Sequence, residues 1–157
     1  MGRLKPKKII IVSSAPQIRY PDCYGIDMAK LGDLIAFKAA ISLLKKTESG
    51  KKKIREIYKA CQKASVLPKE KQKNEVREIY NSFSSEEIST QIAVLLKPKT
   101  LNSKLEIIYQ TIEDLHLSCP NHTGDWYFTG KYPTHGGNAF VNRAFLYYIE
   151  GKNERAY

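Results

Sequence analysis

Residues 7–14 read KKIIIVSS, and the four consecutive β-branched residues Ile9, Ile10, Ile11 and Val12 constrain the fold more than any other stretch. Branching at Cβ favours extended backbone. Apolarity that does not alternate leaves neither strand face for water, the pattern of a strand inside a parallel sheet covered on both sides. The run ends in two small polar residues, Ser13 and Ser14, and passes into a loop containing Pro16 and Pro21. Parallel strands must be joined by long crossovers, so the opening already points to an α/β chain.

The remaining pattern is mainly helical. Residues 29–46 carry Leu31, Leu34, Ile35, Ile41 and Leu44 at helical spacing, with Asp27 placed to cap the N-terminus. Two similar segments follow, KKKIREIYKACQ and KNEVREIYNSFS, separated by Pro68. Ile54, Ile57, Tyr58 and Cys61 form one apolar stripe, and Val76, Ile79, Tyr80 and Phe83 form the other, predicting an antiparallel helical pair with lysine-rich outer faces. Ser84 and Glu87 have capping-box spacing at the head of the next helix, which Pro98 closes. KLEIIYQ is a second strand, TIEDLHLS a short helix, and TGDWYFTGKYPTHGG an irregular turn region. The last helix follows Asn138, buries Phe140, Val141, Ala144, Phe145 and Tyr148, and stops at Gly151. Two strands are fewer than an independent sheet of this class needs.

At 157 residues the chain is long enough for one domain with a real core. No apolar run approaches the roughly 18 residues of a membrane span, and MGRLKPKK lacks the apolar region of a secretory signal. Cys23, Cys61 and Cys119 are odd in number and widely spaced, which fits reduced thiols and a cytoplasmic location. The net charge of +10 is concentrated: residues 45–78 hold twelve Lys/Arg against five Asp/Glu. Those lysines lie opposite the apolar stripes, without aromatics interleaved for base stacking, so a solvated face is the expected reading and nucleic acid is not an expected partner.

Four stretches carry side chains suited to chemistry. In doubly wound sheets ligands bind beyond the carboxyl ends of strands, which makes Ser13, Ser14, Arg19, Tyr24 and Asp27 substrate-side candidates. The competing reading is a proline-shaped connection in which Asp27 caps a helix and Tyr20 and Tyr24 pack. His116, Cys119, His122 and Asp125 recur every three residues and are of metal-ligand type, although Pro120 keeps them from one helical face. Gly136 and Gly137 open a helix where backbone N–H groups can meet an anion, and a plain hinge explains them equally well. There is no P-loop, nucleophile elbow or H-E-x-x-H.

KKIIIVSSAPQIRYPDCYGIDM, continued by LGDLIA, EEISTQIA, LEIIYQTIEDL and FTGKYPT in that order, resembles amidophosphoribosyltransferases downstream of their phosphoribosyl pyrophosphate (PRPP) loop. The resemblance covers residues 3–36 and about 84–134. It implies a type I phosphoribosyltransferase fold. It also implies transfer of glutamine-derived ammonia onto PRPP with magnesium bound, the first step of de novo purine synthesis.

The acidic-pair phosphate loop and the glutaminase domain with its N-terminal cysteine are absent. The resemblance therefore implies a C-terminal section, inactive alone, completed by upstream glutaminase and PRPP-loop regions, and a homo-oligomer when complete. Some members hold an iron–sulfur cluster through cysteines near YGID and before FTGKYP. The matching positions here are Asp22, Gly124 and Tyr127, so no cluster is expected. Asp27 corresponds more loosely to an aspartate that positions metal and pyrophosphate in purine phosphoribosyltransferases.

The expected fold is thus α/β: a partial phosphoribosyltransferase-type parallel sheet of about two strands. It carries a basic helical-pair insertion at 37–83 and a C-terminal helix and tail at 135–157. No catalytic group is expected within the chain, no membrane, and no cofactor for the chain alone. The alternative is a non-enzymatic basic module that binds nucleic acid or protein through the inserted helices.

Overall fold

The computed structural model describes residues 5–25 and 28–156. The chain is a mostly helical α/β protein with a two-stranded parallel sheet and a C-terminal helix. Strand β1 (Lys8–Ser13) pairs with β2 (Lys104–Tyr109) in a register running from Lys8 opposite Lys104 to Ser13 opposite Tyr109.

The expected burial of β1 on both faces does not hold. Ile10, Ile11 and Val12 are 50%, 47% and 71% exposed. The reason is topological: β1 has one neighbour among the described residues, and the helix that covers the sheet, α3 (Ser85–Leu96), packs on β2.

Between the strands, the helix expected over 29–46 is divided. A 3-10 turn at Leu31–Asp33 precedes α1 (Ile35–Lys45), and the extended residue Leu34 stands between them as N-cap. Leu31 and Leu34 are buried as their spacing requires, but an i, i+3 pattern serves a 3-10 turn as well as an α-helix. Position 27 is too far upstream to cap α1, and Asp27 itself lies outside the described residues.

Helix α2 (Glu48–Ser65) is capped by Thr47, whose hydroxyl accepts from the Gly50 N–H, and it buries Ile57 and Cys61 on the expected stripe. Its sequence twin forms a 3-10 helix at Glu75–Ser82 instead of an α-helix, while still burying Val76, Ile79 and Tyr80. Its entry is held from outside: the buried Asn142 side chain accepts from the Glu75 N–H at 3.1 Å and donates to the Lys73 carbonyl at 2.7 Å.

Helix α3 starts with the full capping box between Ser84 and Glu87. After β2 come α4 (Ile112–Ser118), the single turn α5 (Trp126–Thr129) and α6 (His135–Glu150). Helix α6 begins three residues before Asn138, with Thr134 as its N-cap, so Gly136 and Gly137 are helical rather than a hinge. It ends at Gly151 as the pattern requires.

One apolar cluster joins these elements. Phe145 packs edge-on against Phe37 with ring centroids 6.2 Å apart, and Tyr148 meets the same ring at 4.8 Å. Phe37, Ile41, Ile57, Cys61, Val76, Ile79 and Tyr80 all belong to that cluster, so the basic segment 37–83 shares the core with the segments flanking it. No helix among the described residues is long and apolar enough to cross a membrane.

Gly50 sits where α2 leaves α1. A Cβ there would lie 2.1 Å from the Leu44 carbonyl oxygen and 2.7 Å from its carbon. Inside an exposed helix Gly→Ala stabilises by up to about 1 kcal/mol. Here the clash is with backbone, and overpacking costs about 1–3 kcal/mol. Gly50→Ala is expected to lower the urea unfolding midpoint, and a raised midpoint would contradict the close approach.

Candidate functional site at the strand exits

The carboxyl ends of both strands open on one side of the molecule, where the Gln110 N–H donates to the Ser13 carbonyl at 3.2 Å. The Ser13 hydroxyl is turned back on its own loop and donates to the Ala15 carbonyl at 2.9 Å. Ser14 is exposed. Beyond them a groove of about 520 Å³ runs along the free edge of β2, between that strand and α3.

Arg19 lines this groove and is held there rigidly. Its Nε and one terminal nitrogen donate to Gln17 Oε1 at 3.1 and 2.9 Å, and the same terminal nitrogen donates to Ser85 Oγ at 2.9 Å. The guanidinium carbon lies 5.3 Å from the Tyr80 ring centroid, a cation–π distance. All these partners are neutral, so a fixed positive charge faces the groove without an Asp or Glu in ion-pair contact among the described residues.

Gln17 was not singled out by sequence reasoning, yet it organises the wall. It is buried, and its Nε2 donates both to the Ser85 carbonyl and to Ser89 Oγ at 2.8 Å. A lone glutamine in a loop has no sequence signature for that role.

The four described candidates do not converge. Arg19 is in the groove. Tyr24 instead shares a 2.8 Å hydrogen bond with Thr134 and packs edge-on against Trp126, 5.2 Å between centroids. Ser13 satisfies its own loop, and Asp27 lies outside the described residues.

Tyr24 belongs to a second feature, a clamp between the loop after β1 and the turn region before α6. The Arg19 and Tyr20 N–H groups both donate to the Tyr127 carbonyl, at 2.8 and 3.1 Å. The Tyr132 hydroxyl donates to the Pro21 carbonyl at 2.5 Å. The fully buried Asp22 accepts from the Tyr127 hydroxyl at 2.9 Å and from the Tyr24 N–H at 3.0 Å. Segments about a hundred residues apart are thereby fastened into one surface. Gly137 serves the same clamp: a Cβ there would come within 2.5 Å of Tyr132. Close packing therefore accounts for that glycine better than an anion site does.

Burial, and then the hydrogen bond to Asp22, push the Tyr127 phenol up to about 12. The Cys61 thiol is pushed up to about 12 by burial, and Cys23 is raised for the same first reason. Cys119 is exposed.

Three of the four metal-type residues also come together. His116 Nε2 lies 2.9 Å from Asp125 Oδ2, and the His116 and His122 rings stack at 4.6 Å with 9° between their planes. One ligand atom from each of the three lies within 4.8 Å of the others; Cys119 is outside the group.

Comparison with protein-family models, curated proteins and solved structures gave no match.

Because Tyr127 titrates higher when folded than the ordinary phenol value of about 10, its contribution to stability is complete below pH 10. It is lost as pH rises through about 12. Tyr127→Phe is expected to flatten the alkaline fall in unfolding free energy over that window; an unchanged slope would mean that the clamp does not shift the group. For the thiols, a disulfide reagent at neutral pH is expected to label Cys119 at once and Cys61 only after unfolding.

Proposed function

We propose that this chain is the C-terminal section of an amidophosphoribosyltransferase-type protein, and that it contributes one wall of a PRPP site. The observation that carries this reading is the unfinished sheet. A parallel sheet is normally covered on both faces, yet Val12 is 71% exposed and β1 has a single neighbour among the described residues. Such a strand is built for further strands and helices, which upstream regions of a larger enzyme would supply.

The clamp supports the same reading. RYP and YGID on one side and FTGKYPT on the other are the motifs that carry the family resemblance. Pro21 of the first meets Tyr132, Tyr24 of the second meets Thr134, and the flanking residues Asp22 and Tyr127 bond beside them. Asp22 and Tyr127, which occupy two of the family's cluster-ligand positions, are directly hydrogen-bonded at 2.9 Å. In this chain a polar pair would do the fastening that thiolates and iron do elsewhere.

Within such an enzyme Arg19 is the residue best placed to meet a phosphate. Its charge is pre-positioned by Gln17 and Ser85, and arginine suits phosphate geometry. Magnesium would arrive with the pyrophosphate of the substrate, and the groups that hold the rest of PRPP would come from the upstream loop. What this chain supplies is a rigid wall that orients and neutralises charge.

A basic nucleic-acid-binding module is the competing class. Lys51, Lys52 and Lys53 are its obvious contacts, but each has a carboxylate partner: Glu48, Glu56 and Glu78 respectively. Nothing in that arrangement singles out a phosphate-tracking face.

Calorimetry separates these readings. The chain alone is expected to bind PRPP undetectably and to gain binding when joined to a glutaminase and PRPP-loop region. Arg19→Ala should weaken the reconstituted binding by about 1.5–3 kcal/mol, the range for a charged hydrogen bond. Tight PRPP binding by the short chain would overturn the proposal. So would salt-dependent RNA affinity abolished by neutralising Lys51, Lys52 and Lys53.

A further inference from the structure

We propose that His116, His122 and Asp125 form a site for one divalent transition-metal ion of the zinc class, independent of the PRPP wall and of magnesium. The three residues come from three backbone contexts, each fixed without the metal. His116 is in the last turn of α4. His122 sits in a turn closed by its own N–H donating to the Cys119 carbonyl at 3.1 Å. Asp125 is the residue immediately before α5, and its carbonyl accepts from the Phe128 and Thr129 N–H groups at 2.9 and 3.1 Å.

The donor set selects the metal. Two imidazoles and one carboxylate suit zinc and its neighbours, whereas magnesium and calcium prefer oxygen alone. Zinc bonds to nitrogen and oxygen are about 2.0–2.2 Å, which puts tetrahedral ligand atoms about 3.3–3.5 Å apart. His116 Nε2 and Asp125 Oδ2 stand at 2.9 Å, and all three donors lie within 4.8 Å. Shifts of a few tenths of an ångström to about 1 Å, within reach of side-chain rotation, convert the cluster into a coordination sphere.

The outer shell is already in place. The other Asp125 oxygen, Oδ1, accepts from Thr129 Oγ1 at 2.9 Å, which holds the carboxylate with Oδ2 turned toward His116. Such partners raise affinity by fixing ligand orientation. The rings stack nearly parallel. Because an imidazole nitrogen coordinates in its ring plane, the exposed His122 must turn about its side-chain torsions to aim a nitrogen at the ion held by His116 and Asp125. His122 is exposed, so an ion enters from solvent without opening the fold.

Three protein ligands leave a fourth position for water or an incoming group. Held there, the ion would tie the end of α4 to the start of α5. It would thereby stiffen the approach to α5, whose Trp126 packs on Tyr24 and whose Tyr127 donates to Asp22.

The test is titration of the full chain, freed of metal by a chelator, with Zn2+ by calorimetry and with Co2+ by its visible absorption. One equivalent is expected to bind, with the intense d–d bands of a four-coordinate cobalt ion, and millimolar Mg2+ should not compete. His122→Gln and Asp125→Asn should each weaken binding at least about tenfold. His122 is exposed, so His122→Gln should leave the fold intact, as thermal melting without metal would verify. Cys119→Ser and His135→Asn should leave stoichiometry and affinity unchanged. Absence of one-to-one binding would overturn the proposal and leave His116 and Asp125 as a simple polar pair. Binding that survives His122→Gln, or that needs Cys119, would overturn it as well. None of these outcomes depends on whether PRPP binds.

Discussion

Two parallel strands cannot be joined by a tight turn, and the pairing of residues 8–13 with 104–109 is the constraint that makes the middle of the chain one long crossover. About ninety residues must leave β1, travel, and return to lie beside it in the same direction. That crossover contains α1, α2, the 3-10 helix at Glu75–Ser82 and α3, and its apolar faces meet α6 in a single cluster around Phe37 and Phe145. The sheet itself buries little; Ile107 is its one buried residue. The helices therefore hold the strands together more than the strands organise the helices.

This inversion explains the polar architecture near the strand exits. A two-stranded ladder has few hydrogen bonds to locate the loops at its ends. Arg19, Gln17, Ser85 and Tyr80 lock one side of that region onto α3 and the 3-10 helix. Asp22, Tyr127, Pro21 and Tyr132 lock the other side onto the approach to α6. A buried carboxylate is costly unless its oxygens are satisfied, and Asp22 is satisfied by groups from both segments it joins. The same logic, at the solvent edge, makes His116, His122 and Asp125 a cluster rather than three separate turn residues.

Much of the element order is legible in the residues. The capping box at Ser84 and Glu87, the apolar spacing of α6 and its stop at Gly151 are local signals, and local hydrogen bonding and propensity decide them. Where the reading and the structure part, the competing physics is tertiary. KKKIREIYKACQ and KNEVREIYNSFS carry nearly the same pattern, yet only the first is an α-helix; the second is a 3-10 helix whose entry is held by the distant Asn142. Leu31 and Leu34 satisfied the helical spacing while belonging to a 3-10 turn and its exit. Gln17 was invisible as a site residue because its importance lies in contacts with residues 85 and 89.

The sequence by itself determined the α/β character, the two strands, the start of α3, the short helix α4, the stop of α6 and the concentration of charge in the middle of the chain. Each rests on the period of apolar residues or on caps a few positions away. Only the tertiary structure decided that the most apolar strand is left open, that Arg19 and not Tyr24 faces the groove, and that three of the four metal-type residues share a point in space. Exposure and convergence depend on which distant surfaces meet, and no spacing along one chain encodes that.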